Sequence, residues 1–107
     1  MAASLVLVTA PSGDTARTLA RALVESRLAA SVNIAAGITS FYRWQGAVEE
    51  GDEALLIAKT RTELVDRVID FVKARHPYDC PAIVATPIAA GNPDYLAWIG
   101  EETAATD

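Results

Sequence analysis

ITSFYRWQGAVEEGDEALLIAK, residues 38–59, reads as one long β-hairpin. Ile38, Thr39, Phe41, Tyr42 and Trp44 are strand-favouring types, Gln45-Gly46 suits a tight turn, and Leu55, Leu56 and Ile57 open a second apolar run. Strands usually run about 5–6 residues, so arms of roughly ten overhang any sheet that a small domain builds around them. An overhang leaves backbone N–H and C=O groups to be blunted, covered or paired with another chain. The blunting charges, Arg43, Glu49, Glu50, Asp52 and Glu53, sit near the tip and on the second arm. The hairpin is therefore expected to be an assembly device.

Upstream, Ser4 to Ala10 (SLVLVTA) is a short apolar run closed by Pro11-Ser12-Gly13, the pattern of a buried central strand. Asp14 to Arg27 then sets Leu19, Ala20, Leu23 and Val24 at helical spacing opposite Arg17, Arg21 and Glu25, with Ser12 as the expected N-cap. Strand character resumes from Ala29 to Ala36 around Val32 and Ile34, and Gly37 is expected to bulge or bend that strand into the hairpin.

Downstream, Thr60-Arg61-Thr62-Glu63 has capping-box spacing and predicts a helix through Leu64, Val65, Val68, Ile69 and Val72 to about Arg75. His76-Pro77 stops it, because the residue before proline is pushed out of helical geometry. Pro81 to Ile88 predicts a short edge strand bracketed by prolines. Asn92-Pro93-Asp94 starts a last helix running to about Glu102 with Leu96, Trp98 and Ile99, and residues 103–107 are expected to fray. The order predicts an α+β, ferredoxin-like βαββαβ sandwich with an extended central β-hairpin and a C-terminal helix. It forms a single domain over residues 1–107, with an ordered core of about residues 3–102.

Composition narrows the function. Hydrophobic residues make up 51% of the chain against 21% charged, and the mean hydropathy of +0.21 is high for a small monomer, so surplus apolar surface points to an oligomer. A net charge of −5 with nine scattered Lys and Arg argues against nucleic-acid and anionic-membrane partners. No run approaches the roughly 20 apolar residues of a membrane span, and Met1-Ala-Ala-Ser lacks the features of a secretory signal. The expected compartment is the cytoplasm, and the single cysteine, Cys80, is consistent with reducing surroundings.

No phosphate loop, dinucleotide fingerprint or zinc-finger spacing occurs, and one histidine cannot make an H-E-x-x-H site. His76 and Cys80 nevertheless fall within HPYDC, with Asp79 between them, and imidazole and thiolate suit copper or zinc. Two such ligands are an incomplete set that another subunit would have to complete. The plainer reading has His76 and Tyr78 closing a helix and Cys80 packing as a small hydrophobe. Lys59, Arg61 and Arg43, with Asn33, form a candidate anion pocket, against which stands ordinary surface pairing with Glu49, Glu50 and Glu53. Tyr42, Trp44 and Trp98 suit either a ligand pocket or, preferentially, a subunit interface.

Several segments in order resemble the divalent-cation tolerance (CutA) family: LAASVNI (Leu28 to Ile34), ITSFYRWQGAVEEGDEALLIAKT (Ile38 to Thr60), HPYDCPAIVATPI (His76 to Ile88) and GNPDYLAWI (Gly91 to Ile99). The resemblance implies a ferredoxin-like subunit in a compact homotrimer, with the hairpin pairing across subunits and the terminal helix contributing. It also implies a link to copper and other divalent cations, and trimers that look like those of PII-type nitrogen-regulatory proteins. Ser31 stands where many members have cysteine, Cys80 where an aliphatic residue is frequent, and Ala82 where glutamate is common. A neutral hydroxyl is a much poorer copper ligand than a thiolate, so copper binding is less secure for this chain than for the family.

The expectation is therefore a cytoplasmic, non-enzymatic homotrimer responding to divalent metal ions. No firm cofactor is expected; copper or another divalent cation would be held by His76 with Cys80 or Asp79. Tyr42, Arg43, Trp44 and Trp98 are assigned to assembly. The alternative is a trimeric small-molecule or anion sensor with inter-subunit clefts at Asn33, Lys59 and Arg61. An acylphosphatase-like phosphate-ester hydrolase dependent on Arg61 comes third, since the glycine-rich phosphate loop of that enzyme is absent.

Overall fold

Period-two burial along the strands sets the architecture. The computed structural model describes residues 1–104, in the order β1 (Ala3–Ala10), α1 (Asp14–Glu25), β2 (Ser31–Trp44), β3 (Ala47–Arg61), a 3-10 turn (Thr62–Leu64), α2 (Val65–Arg75), β4 (Ile83–Pro87) and α3 (Pro93–Glu102). The four strands pair antiparallel in the order β2-β3-β1-β4. This is the ferredoxin-like α+β sandwich, with β2 and β4 as its edges.

One face of the sheet carries the core. Val6 and Val8 of β1 and Leu56 and Ala58 of β3 bury against Leu19, Leu23, Val68 and Val72 of α1 and α2. Leu23 and Leu56 are fully buried, and each such leucine stabilises the fold by about 1.5–3 kcal/mol. A second, smaller cluster forms on the other face at one end, where Ile99 of α3 meets Ala3 and Ala30 with Leu96 and Ile88 around them.

The hairpin is longer than expected, with arms of 14 and 15 residues. Gln45 and Gly46 turn it with φ of 49° and 83°, the two left-handed positions of a type I′ turn. The register slips between Ala35 and Ile38, where Gly37 takes φ 72°, so the bulge falls at the glycine that interrupts the apolar pattern. Pro87 closes β4 on the sheet edge, opposite Ser4.

At the helix termini the stop at His76-Pro77 forms as the sequence announces, with α2 ending at Arg75. The side chain of Asn92 accepts from the backbone N–H of Asp94 with Pro93 in the first turn, the cap that the sequence announces. Ser12 does not cap α1; Gly13 holds that position without a side-chain bond. The capping box at Thr60 and Glu63 does not form either. Thr60 is a fully buried residue of β3 whose hydroxyl donates to the carbonyl of Leu28 at 2.7 Å, so pairing in the sheet overrides its local preference. Nor does the tail fray at Thr103, which is buried and donates to the Ile99 carbonyl. Ala104 donates its N–H to the Arg27 carbonyl at 2.8 Å, while residues 105–107 lie outside the described residues.

Candidate functional site: the open face of the sheet

The register assigns Leu5, Leu7 and Thr9 of β1, Leu55, Ile57 and Lys59 of β3, and Ser31, Asn33 and Ala35 of β2 to the face turned away from α1 and α2. Val84 of the edge strand joins them opposite Leu7, 60% exposed. Among the described residues α3 packs on this face at the Ala3 end, together with Ile88. The middle is a half-buried apolar surface that the chain leaves uncovered.

At the border between that surface and α3 lies a polar group. Ser31 and Lys59 are direct cross-strand neighbours, and the Lys59 ammonium donates to Oδ1 of Asn33. The Ser31 hydroxyl lies 3.2 Å from that of Tyr95, whose ring stacks on Trp98 with centroids 5.6 Å apart and planes at 27°. Lys59 and Asn33 thus come together as the sequence suggests, but Arg61 and Arg43 do not join them. The Arg61 guanidinium turns to the end of α3, donating to the Gly100 carbonyl at 2.5 Å and the Thr103 hydroxyl at 3.0 Å, with an ion pair to Glu63 at 3.3 Å. Arg43 sits on the hairpin overhang opposite Val48. Neither Lys59 nor Arg61 pairs with Glu49, Glu50 or Glu53, the surface pairing that the charge pattern offers.

The HPYDC loop is built around its histidine. His76 is buried; its Nδ1 accepts the backbone N–H of Tyr78 at 3.1 Å, so Nε2 carries the proton and donates to the Thr9 carbonyl at 2.8 Å. The ring can ligate a metal only by giving up one of these bonds. Cys80 is exposed and not packed as a hydrophobe, and Asp79 is exposed beside it. Among the described residues no group of three or more His, Cys, Asp or Glu side chains is placed to hold a metal ion. Within one chain, His76, Asp79 and Cys80 do not make such a site. The loop's carboxylate contact is instead Glu53, which accepts from the Tyr78 hydroxyl at 3.0 Å. Burial first, then the hydrogen bond to Glu53 and the nearby charges of Glu53 and Tyr42, push the Tyr78 phenol above its ordinary range.

The aromatic residues of the overhang are exposed: Phe41 by 68%, with Tyr42 and Trp44 about half exposed and Val48 at 65%. Trp98 is part-exposed on α3. Tyr95 and Glu53 were not singled out by sequence reasoning. Tyr95 had a signal, since Asn92-Pro93 fixes the first turn of α3 and hence the residue at its third position; Glu53 looked like one more hairpin charge.

With this geometry in view, residues 4–102 match the CutA1 divalent ion tolerance protein family. The chain belongs to that family. It is 57% identical over 99 residues to the divalent-cation tolerance protein CutA of Thermus thermophilus, covering 92% of this chain and 96% of that one. Protein CutA of Mus musculus is 44% identical over 100 residues, covering 94% of this chain, which spans 56% of the mouse protein. Among solved structures, CutA1 from Oryza sativa superposes with a TM-score of 0.96 at 42% identity, covering 99% of this chain and 97% of that one. The Thermus thermophilus protein superposes at 0.92 and 55% identity, covering 95% and 99%. The family is named for tolerance of divalent ions and not for a catalysed reaction. No helix among the described residues is long and apolar enough to cross a membrane.

Proposed function

We propose that this chain is a non-enzymatic, cytoplasmic homotrimer that acts in tolerance of divalent cations, with cation contacts completed between subunits. The observation that carries the assembly is the uncovered apolar face of Leu5, Leu7, Leu55, Ile57 and Val84, continuous with an overhanging aromatic hairpin. A monomer would leave both in water, whereas packing of copies removes them from it at about 25 cal/mol per Å² of apolar area. The names of the relatives support the cation role. The tied-back His76 supports placing any copper or other divalent-cation contact on more than one copy, with Cys80 and Asp79 as the free groups of the loop. A single free cysteine favours a reducing compartment.

Light scattering of the native chain tests the assembly. A mass three times the 11.3 kDa of the chain is expected, with Leu7→Glu shifting it to the monomer while circular dichroism stays folded; a monomeric wild type would sink the proposal. Copper titration with His76→Ala and Cys80→Ser tests the loop. Unchanged affinity and stoichiometry in both variants would remove these residues from the cation role.

A further inference from the structure

Lys59 brings a positive charge to a face that is otherwise apolar. Its strand neighbours are Leu5 on one side and Ser31 on the other, and among the described residues it forms no ion pair. Its hydrogen-bond partner is the neutral Oδ1 of Asn33. That bond engages the amide oxygen of Asn33 and leaves its NH₂ to donate. The Ser31 and Tyr95 hydroxyls, 3.2 Å apart, can share one bond between them and still offer a proton outward. The polar groups gathered here are thus an ammonium, an amide NH₂ and a hydroxyl pair, a set rich in donors and carrying positive charge. Such a set repels a divalent cation and matches an acceptor-only group.

Covering this face with further subunits strengthens the demand, because a charge taken out of water is costly unless it is paired. We propose that Lys59, Asn33, Ser31 and Tyr95 form a binding site for a small organic carboxylate whose apolar or planar body lies against Trp98. The carboxylate meets the ammonium as a charge-assisted hydrogen bond. The part-exposed Trp98 ring, stacked on Tyr95, supplies the apolar wall. The inference rests on the trimer reading for its desolvation, and not on the cation reading.

Calorimetric titration of the full chain in its native assembly tests it, with benzoate as the probe, acetate as the minimal carboxylate and inorganic phosphate as the competing oxyanion. Benzoate is expected to bind saturably, tighter than about 1 mM, and better than acetate or phosphate. Lys59→Met is expected to weaken it by about tenfold or more and Tyr95→Phe by about threefold to tenfold, with mass and circular dichroism unchanged. Absence of saturable binding, a preference for phosphate, or equal affinity in Lys59→Met overturns the site. If Lys59→Met changes the mass, Tyr95→Phe decides, since it keeps both ring and charge: weakened binding supports the site and equal binding overturns it. Mass is measured on the same samples, so the two readings fail separately. A trimer that binds no probe defeats the site alone and leaves a carboxylate of a neighbouring copy as the counter-ion; a monomer that binds benzoate through Lys59 defeats the assembly alone.

Discussion

The Tyr78 hydroxyl donates to Oε2 of Glu53 at 3.0 Å across 25 residues of chain, tying the loop after α2 to the second arm of the hairpin. The phenol's pKa is raised, first by burial and then by this carboxylate. A group whose folded pKa lies above its unfolded one binds its proton more tightly in the native state. Its stabilising contribution is therefore complete below the ordinary tyrosine range near about pH 10 and is lost as pH rises through the folded value. Tyrosinate absorbance should contain a late-titrating component that is absent in Tyr78→Phe and shifted back down in Glu53→Gln. Indistinguishable curves for wild type and Tyr78→Phe would contradict this.

His76 is a staple of the same loop. Replacing it with alanine removes a buried ring and its bond to the Thr9 carbonyl, a loss expected to cost about 2–4 kcal/mol in denaturant unfolding at fixed protein concentration. Asp79→Ala and Cys80→Ser, both at exposed positions, are expected to stay within about 0.5 kcal/mol. Equal costs at the three positions would show that the loop is not organised by its histidine.

Arg61 satisfies the end of α3 through the Gly100 carbonyl and the Thr103 hydroxyl. Arg61→Ala should cost about 1–3 kcal/mol and speed amide exchange in the last turn of α3, with α1 unaffected. The exposed partner Glu63 contributes little, so Glu63→Ala should leave exchange in α3 as it was. Equal acceleration in both variants would assign the effect to the ion pair.

At the hairpin tip the backbone alone sets the cost. Gly46 has open space around it but a φ of 83°, so Gly46→Ala should destabilise by about 1–2 kcal/mol without any clash. Gln45→Asn, which suits the first left-handed position of a type I′ turn, should stabilise by up to about 1 kcal/mol. Thermal unfolding with both variants in parallel checks the opposite signs.

Features written in neighbouring residues were legible in the sequence: the apolar run of β1, the turn at Gln45-Gly46, the stop at His76-Pro77 and the cap at Asn92. Local rules failed where a distant partner outbid them. Thr60 belongs to a strand because Leu28 and β1 claim it, and Arg61 leaves Lys59 because the end of α3 offers it the Gly100 carbonyl 39 residues away and the Thr103 hydroxyl. The candidate site was half visible for the same reason. Asn33 and Lys59 follow from strand alternation, whereas Ser31 meets Tyr95 across 64 residues, a separation that no periodicity encodes.

The bulge before Ile38 has a consequence for how this hairpin can vary. Below it Asn33 and Ala35 face the open side; above it Ile38 pairs with Glu53 and Tyr42 with Glu49, so even-numbered residues now take that side. One extra residue thus presents Tyr42 and Trp44, and not Phe41 and Arg43, on the same side as Lys59. Inserting two residues in each arm keeps every side chain on its own side, whereas one residue in each arm would turn the outer arms over; deleting Ala36 would remove the bulge and leave Tyr42 opposite Glu49. Length changes in this hairpin are therefore governed by parity: a step of two residues in each arm preserves the faces, and a single unmatched residue in one arm is absorbed as a bulge.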